Sequence, residues 1–438
     1  MSAESRIHLL PHGMKLVTVR MPHMASVAFG IWNRVGSRHE QTNEHGMAHL
    51  VEHLLFKGTP SRSAEEISRQ IEGLGASIDA FTVEDHTAYH AKGPAEQCEK
   101  MLEVMADFYL NPLFDSKDLE SEKQVIGEEI AMVRDQPSQL LEDLSSEAAW
   151  GAHHPLGRSI TGTNESLARF RRRDVLAFFQ RSYHAQTTTF SVAGQLEHDV
   201  VADLVSRHFA NLPDRPVPTF LAAEPAKDRH RFQGDEELEQ CHLTLSFEGL
   251  DRQHPDRFAL KLLNVILGEN MSSRLFQEVR ERRGLCYDIQ SDIVTFSDGG
   301  LVQIYLALGP NHLAEALASI SEVLEGLRTA AVSPRELAEA KSYVVGQSRI
   351  TLENTSSQMM WAGECLLFFR DWFDPEHAHQ AIANVTSAQI LEVARRLLDK
   401  HTLSTALVGS QQSRDLLLDW VHGEGAPLTG PNQKNAPA

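Results

Sequence analysis

Two histidines four residues apart, with an acid between them, are the residues of this sequence best placed to do chemistry. His49, Glu52 and His53 stand in the apolar run HGMAHLVEHLLF, residues 45–56. On an α-helix His49 and His53 share one face, so both can reach a single metal ion. Glu52 lies on nearly the same face and can take a proton from metal-bound water without binding the ion. The pattern therefore predicts a catalytic zinc site with Glu52 as its general base.

A catalytic zinc site takes three protein ligands and keeps one position open, so a third ligand must come from another element. The helical pattern at 116–134 offers Glu122, Glu128 and Glu129. Glu122 and Glu129 are two helical turns apart and share a face. That spacing fits Glu129 as the ligand and Glu122 as an outer carboxylate that orients a ligand, but it does not choose among the three glutamates. An amphipathic helix with ordinary histidines is the alternative for the motif alone.

The elements that must position these residues occur in the same order in two halves of the chain. The first half predicts a strand, two helices, a hairpin and a long helix, at 25–32, 45–56, 63–74, 76–92 and 116–134. The second half predicts the same series around 243–247 and at 256–267, 272–283, 287–308 and 334–353. We infer an internal duplication with a period of roughly 210 residues. The expected fold is α+β, with two homologous domains of antiparallel sheet and packed helices.

The domain limits follow from this repeat and from composition. Residues 1–212 form the expected zinc-binding catalytic domain, and 235–422 form the homologous second domain. Residues 213–234 are rich in proline and charge and are expected to be the linker. Residues 423–438 have no apolar periodicity and are expected to be a disordered tail.

Charge and cysteine content limit the classes of partner and compartment. There are 60 acidic against 41 basic residues, a net charge of -19, which argues against nucleic acid as a partner because phosphate binding needs a basic face. No apolar run reaches the length of a membrane span, so we expect no membrane insertion. The beginning of the chain lacks the apolar segment of a signal peptide. Four widely spaced cysteines without a CxxC pattern predict free thiols and a cytoplasmic location.

Short motifs along the first half carry a family resemblance. They read Gly36-Ser37-Arg38, His49 to His53, Phe56-Lys57-Gly58-Thr59, Glu84-x-x-Thr87-x-Tyr89 and Val125-Ile126-x-Glu128-Glu129-Ile130. With these motifs the chain resembles the pitrilysin/insulinase-type zinc metallopeptidases, the inverzincins, and among them the mitochondrial-processing-peptidase-like bacterial proteins. The resemblance runs from about Arg6 to about Gly409. It selects Glu129 as the third ligand and places the family's accessory glutamate on Glu122.

The second half carries the family's other motifs but no zinc motif. They read Leu267-Gly268, Met271-Ser272-Ser273-Arg274-Leu275-Phe276, Arg280-Glu281 and Arg283-Gly284-Leu285-x-Tyr287. In active members of the family an arginine and a tyrosine seven residues apart contact the substrate, and they correspond to Arg280 and Tyr287. The resemblance thus implies one zinc ion per chain and a dimer, expected to be a homodimer, that encloses a chamber.

One position departs from the family pattern. Asp79-Ala80 stands at the start of the first hairpin where the family usually has Asn-Ala. This edge strand is expected to pair with the substrate backbone, which makes Asp79 and Ala80 candidate substrate-binding residues. An ionised carboxylate cannot donate a hydrogen bond as an amide does, which leaves room for a different substrate preference.

The sequence therefore predicts a zinc metalloendopeptidase that hydrolyses peptides or unfolded polypeptide segments. Two rival hypotheses are a non-catalytic, peptide-binding partner subunit of a processing-peptidase-like complex and a protein with a structural metal. The intact set of His49, Glu52, His53 and Glu129 argues against the first. Glu52 argues against the second, because a structural site has no use for a base.

Overall fold

The computed structural model describes residues 4–369 and 375–423, so the predicted tail lies outside the described residues beyond Gly423. The strands are β1 (Glu4–Leu9), β2 (Lys15–Arg20), β3 (Ser26–Asn33), β4 (Ser77–Thr82), β5 (Thr87–Pro94), β6 (Thr188–Gly194), β7 (His230–Gly234), β8 (Cys241–Glu248), β9 (Asp288–Thr295), β10 (Gly300–Leu308) and β11 (Ser404–Gly409).

The helices of the first half are α1 (Met47–Leu55), α2 (Ala64–Gly73), α3 (Cys98–Leu110), α4 (Ser116–Asp135), α5 (Pro137–Trp150), α6 (Asn164–Arg169), α7 (Arg172–Ser182) and α8 (His198–Phe209). Those of the second half are α9 (Arg257–Asn264), α10 (Leu313–Thr329), α11 (Pro334–Thr351), α12 (Thr355–Phe368), α13 (Pro375–Asn384), α14 (Ser387–Leu397) and α15 (Gln411–His422). Two π-helical segments, Val265–Glu269 and Phe276–Arg282, lie between α9 and β9. Among the described residues, none of the helices combines the length and apolarity needed to cross a membrane.

Two sheets show that the chain is built from a duplicated α+β unit, as predicted. The first sheet has the strand order β1-β2-β6-β3-β5-β4, and the second has β7-β11-β8-β10-β9. Without β1, the first order repeats in the second, strand for strand. Each sheet is antiparallel except for one pair, β2 with β6 and β7 with β11, which is parallel. In both halves the last strand of the order, β4 or β9, is an edge strand that comes from a hairpin.

Residues His230–Gly234 fall in the predicted linker but form β7, which pairs in parallel with β11. This strand lies at the edge of its sheet and is mostly polar, as edge strands often are, so no apolar alternation marks it in the sequence. Between α8 and β7, residues 212–229 contain neither helix nor strand.

Each half lends one helix to the sheet of the other half. Helix α12 lies on β2, β3 and β6 of the first sheet, whereas α5 lies on β7, β8 and β11 of the second. Under α12, Trp32 packs in a buried apolar cluster with Met359, Ala362 and Leu366. Gly363 lies so close to the Trp32 indole that a Cβ atom there would collide with the ring. Each half thus keeps a main apolar core of its own, and smaller clusters under α12 and α5 combine residues of both halves.

The turns of the two hairpins meet in a buried ion-pair network, which we call the clasp: Arg38, Asp85, Arg252, Ser297 and Asp298. Asp85, in the β4–β5 turn, accepts hydrogen bonds from Arg38 at 2.9 Å and from Arg252 at 3.2 Å. The backbone N–H of Ser297, in the β9–β10 turn, donates to the same carboxylate at 2.9 Å. Arg38 also pairs with Asp298 at 2.9 Å. The clasp fixes the first hairpin to the second half of the chain.

Candidate metal centre

The buried carboxylate of Glu40 lies at the N-terminus of helix α1. The two oxygens of Glu40 accept the backbone N–H groups of Gly46 and Ala48 at 3.0 and 2.8 Å. These are amide groups that the first turn of a helix leaves without a partner, and negative charge is favoured at this end. Burial raises the pKa of Glu40 to about 8, although both backbone hydrogen bonds act to lower it. Gly46 has a φ of 90°, a left-handed conformation that suits glycine. Glu40 thus fixes where α1 starts.

One face of α1 is apolar and the other carries the zinc motif. Leu50, Val51, Leu54 and Leu55 are fully buried in the core of the first half, and their burial fixes the rotation of the helix about its axis. The side chains of His49 and His53 remain partly exposed, with ring centroids 4.6 Å apart. The helical spacing therefore brings both rings into one cleft, as predicted.

Glu129 of α4 faces both histidines. Its carboxylate oxygens lie 3.9 Å from Nε2 of His49 and 3.8 Å from Nε2 of His53. One ligand atom from each residue lies within 4.8 Å of the other two, and no other group of three such side chains occurs among the described residues. Tetrahedral ligands of zinc are about 3.4 Å apart, so small side-chain movements would let these atoms share one ion. Glu128 is exposed and lies outside the group.

The chemistry of these donors fits zinc. Burial, and then the neighbouring His53, lower the pKa of His49 to about 3, so this ring is neutral, as a metal ligand must be. Two imidazole nitrogens and one carboxylate oxygen are a ligand set found in catalytic zinc sites, with a fourth position left open.

Glu122 lies behind His53 and is buried. Its Oε2 is 3.1 Å from Nδ1 of His53, and its Oε1 accepts a hydrogen bond from Nζ of Lys57 at 2.7 Å. A carboxylate on one ring nitrogen of a histidine directs the other nitrogen towards a metal. Glu122 is therefore placed where it would orient His53 if Nε2 of that ring binds a metal.

Glu52 lies beside the three ligands and has only 8% of its surface exposed. Its Oε2 accepts a hydrogen bond from the hydroxyl of Thr82 at 2.5 Å. Burial raises the pKa of Glu52, while the hydrogen bond from Thr82 acts in the opposite direction. Thr82 is not among the residues that the sequence indicated. Its position at the end of the first hairpin strand is a weak signal, because nothing local shows that the strand ends beside α1.

Asp79 and Ala80 lie on β4, at the free edge of the first sheet. Asp79 is exposed and its Oδ1 accepts the N–H of Ala80 at 2.8 Å. The charge of Asp79 also helps to raise the pKa of Glu52, so β4 runs close to the metal centre. An extended chain bound along this edge would pass the candidate ligands, but the Ala80 N–H is already engaged by its neighbour.

Arg280 and Tyr287 lie together in the second half of the chain. The guanidinium of Arg280 is 5.7 Å from the centroid of the Tyr287 ring, and Tyr287 is 73% exposed. The backbone N–H of Tyr287 donates to Ala307 of β10. Among the described residues, no hydrogen bond or ion pair links either side chain to α1 or α4. Within the described part of one chain, the arginine therefore contacts the tyrosine.

The second half has a cleft at the position equivalent to the metal centre. This second cleft has a volume of about 820 Å³ and is lined by residues of α9, β9, α11, α12 and α13. Helix α9 contains no histidine. Helices α4 and α11 start at Ser116 and Pro334, 218 positions apart. With the same interval, the residue of α11 that corresponds to Glu129 is Gln347. Asp292 on β9 repeats the conformation of Asp79, since its carboxylate accepts the next N–H, at 2.7 Å.

Comparisons with known proteins give matches over nearly the whole chain. The model of the insulinase family, peptidase family M16, matches residues 15–164, and the model described as the peptidase M16 inactive domain matches 169–344. An uncharacterized zinc protease of Mycobacterium leprae is 35% identical over 415 residues, 93% of this chain and 92% of that protein. An uncharacterized zinc protease of Bacillus subtilis is 36% identical over 353 residues, 81% of this chain and 86% of that protein.

Solved structures share the fold. A protease from Helicobacter pylori has a TM-score of 0.87 at 22% identity, covering 93% of this chain and all of that one. A peptidase M16 inactive domain from Pseudomonas fluorescens has a TM-score of 0.85 at 21% identity, covering 93% of this chain and 98% of that one.

Proposed function

The chain belongs to the insulinase family of peptidases, peptidase family M16, and from that premise we propose that it is a zinc-dependent endopeptidase for peptides or unfolded polypeptide segments. The observation that carries the proposal is the convergence of His49, His53 and Glu129 within 4.8 Å of one another, with Glu52 beside them. The free edge of β4 runs past the same cleft, where an extended substrate would bind by backbone pairing.

The residues divide the chemistry of peptide hydrolysis among them. His49, His53 and Glu129 would hold one zinc ion, which polarises the peptide carbonyl and activates water when it is bound. Glu52 accepts the proton of the attacking water and passes it to the leaving amine. Glu122 keeps His53 oriented through its Nδ1 atom.

We also propose that the working enzyme is a homodimer that encloses a chamber. Arg280 and Tyr287 belong to the second half and their described contacts stay within it, so a second chain would bring its pair to the metal centre of the first. There Arg280 would hold a substrate carbonyl or carboxylate, and Tyr287 would donate to the developing oxyanion.

The proposed catalysis is tested with Glu52→Gln. This change removes the base and keeps every ligand, so zinc should stay at one per chain while hydrolysis of a panel of fluorogenic peptides is lost. A chelator should abolish wild-type hydrolysis, and zinc should restore it. Glu128→Gln, next to the ligand on the same helix but exposed, is the matched control and should behave as wild type. A Glu52→Gln variant with near wild-type turnover would refute the assignment.

The dimer is tested by complementation. The single variant Glu52→Gln should be inactive, and so should the double variant that combines Arg280→Ala with Tyr287→Phe. When the two chains are mixed, half of the dimers are mixed and each has one intact site of two, so roughly a quarter of wild-type activity should return. If the pair acts within its own chain, every site keeps one lesion and no activity returns.

A non-catalytic, peptide-binding subunit is the second candidate function. The family model that matches residues 169–344 is described as an inactive domain, and helix α9 of the second cleft has no histidine. Those observations concern the second half, whereas the first half carries a complete ligand set with its base. Binding of peptides without hydrolysis by the zinc-loaded protein would favour this candidate. A cytoplasmic location stays a prediction, which cell fractionation would test.

A further inference from the structure

The candidate base Glu52 is held by one hydroxyl. Among the described residues, Thr82 is the side chain that donates a hydrogen bond to Glu52, from Oγ1 to Oε2 at 2.5 Å, and both side chains are buried. The other carboxylate oxygen, Oε1, has no described partner and is the one left for proton transfer. A glutamate on a helix has three rotatable side-chain bonds, so an anchor on one oxygen decides where the other one points.

Thr82 is itself held in place. It is the last residue of β4 and pairs across the hairpin with Thr87, whose hydroxyl donates to the carbonyl oxygen of Val35 at 3.0 Å. Three residues further on, Asp85 fixes the turn through the clasp, with Arg38 from its own half and Arg252 from the other. The hydroxyl that touches Glu52 therefore comes from a rigid element anchored by both halves.

We propose that Thr82 is a positioning residue for hydrolysis: its hydroxyl fixes the Glu52 carboxylate in the rotamer that places Oε1 towards the substrate side of the zinc ligands. The inference rests on the proposed function, since Thr82 matters for turnover only if Glu52 is the base. A general base must lie within hydrogen-bond reach of the proton that it removes, and small misplacements slow the reaction strongly.

The second half provides a matched position. Thr295 is the last residue of β9, as Thr82 is of β4, and it lines the second cleft. Its carbonyl oxygen accepts a hydrogen bond from Arg252 at 2.7 Å, but no described hydrogen bond involves its hydroxyl. Replacing this threonine makes the same chemical change on the equivalent strand, where no catalytic carboxylate is near.

The experiment compares Thr82→Val, Thr82→Ala, Thr82→Ser and Thr295→Val as zinc-loaded full-length proteins. Valine keeps the shape of the side chain and removes the hydroxyl, alanine removes the hydroxyl without any risk of a clash, and serine keeps it. We expect the valine and alanine variants to lower kcat by about ten- to a hundredfold with KM changed less than about twofold and one zinc per chain. Serine should restore kcat to within about threefold of wild type, and Thr295→Val should match wild type.

Three outcomes would overturn the inference: wild-type kcat in Thr82→Val and Thr82→Ala, a serine variant as slow as the valine variant, or loss of zinc in both hydroxyl-free variants. A slow serine variant would mean that turnover depends on the methyl group of Thr82 and not on its hydroxyl. Loss of zinc would mean that Thr82 keeps the zinc ligands in place. The assay separates this failure from failure of the proposed function. If Glu52→Gln is inactive while wild type and Thr82→Val are both fully active, only the proposed role of Thr82 is refuted. If Glu52→Gln is active, both proposals fall.

Discussion

The metal centre of the first half and the second cleft are two versions of one scaffold. Both lie beside a hairpin edge strand and a long helix, and both edge strands carry an aspartate in the same conformation. The first has Glu129 and two histidines, whereas the second has Gln347 and no histidine on α9. A few side chains thus distinguish the candidate metal centre from the second cleft, while the order of the surrounding strands is the same.

The second cleft contains a satisfied polar network on α9. Lys261 and Asn264 of α9 both contact the carboxylate of Glu269, at 2.5 and 2.9 Å, and Asn264 also donates to the carbonyl oxygen of Ser291. Donors and acceptors that are paired with each other are not available to an ion. The difference teaches that a metal site needs ligands that point at a common place without already being satisfied there.

The largest expected effect tests whether the ligand set alone makes this difference. Glu129→Gln should lower zinc affinity by more than about a hundredfold, because it removes one of three ligands and leaves two imidazoles. The reciprocal change, Gln347→Glu, should leave the zinc content at one per chain, because α9 supplies no histidine. Metal analysis with competition titration measures both. A second zinc in Gln347→Glu, or unchanged affinity in Glu129→Gln, would show that the comparison of the two clefts is wrong.

The clasp offers the next largest contrast, between Asp85 and Asp298, each the third residue after its hairpin strand. Asp85 is almost fully buried and faces two arginines, whereas the side chain of Asp298 is 29% exposed and faces one. Asp85→Asn should lower the free energy of unfolding by about 3–5 kcal/mol, since Arg38 and Arg252 lose the buried carboxylate that both of them contact. Asp298→Asn should cost about 1 kcal/mol or less. Urea unfolding of both variants measures this, and equal losses would contradict it.

A smaller effect on zinc affinity is expected at Glu122. The corresponding residue of α11, 218 positions later, is Ala340. Glu122→Gln should lower zinc affinity by about ten- to a hundredfold, because an amide orients His53 less firmly than a carboxylate. Glu120→Gln, on the exposed side of α4, is the control and should leave affinity unchanged. Equal zinc affinity in the two variants would remove Glu122 from the site.

The smallest effect concerns His86 in the first hairpin turn, where the second hairpin has Gly299. Both ring nitrogens of His86 are buried without a described partner, and burial lowers its pKa to about 3. The unfolded chain binds this proton below pH 6.5, so His86 makes the free energy of unfolding fall as the pH decreases from 6.5 towards 3, by about 2 kcal/mol at pH 5. His86→Leu should remove this part of the acid sensitivity. Unfolding curves at pH 7 and pH 5 measure it, and unchanged pH dependence would contradict the assignment.

The parts of the site that the sequence indicates are those set by local spacing. His49 and His53 lie one helical turn apart, and Glu122 and Glu129 lie two turns apart, so the helical period alone puts each pair on one face. Which of the three glutamates faces the histidines depends on how α4 packs against α1, and there the family resemblance was needed. The structure places Glu129 in the group, and Glu128 faces solvent.

The parts that the sequence did not indicate are contacts between separate segments. Glu40 caps α1 from a preceding loop, and Thr82 reaches Glu52 across thirty residues of chain. The clasp joins Asp85 to Arg252, 167 positions away, and to Ser297, 212 positions away. The apolar residues of α5 and α12 predict that each helix is buried, but no periodicity states which sheet buries it. The exchange of these helices is therefore a result of the tertiary fold alone.

That exchange bears on how a duplicated chain of this kind could arise. Consider a precursor of half the length with the same fold. One face of its sheet would be exposed where α12 now covers the cluster around Trp32, or where α5 covers the corresponding cluster of the second sheet. Two copies could cover both faces by swapping the helix, as in a domain-swapped dimer. In a fused chain the exchanged helices stay paired, and one half can lack the two histidines without loss of the fold, as the second half does on α9.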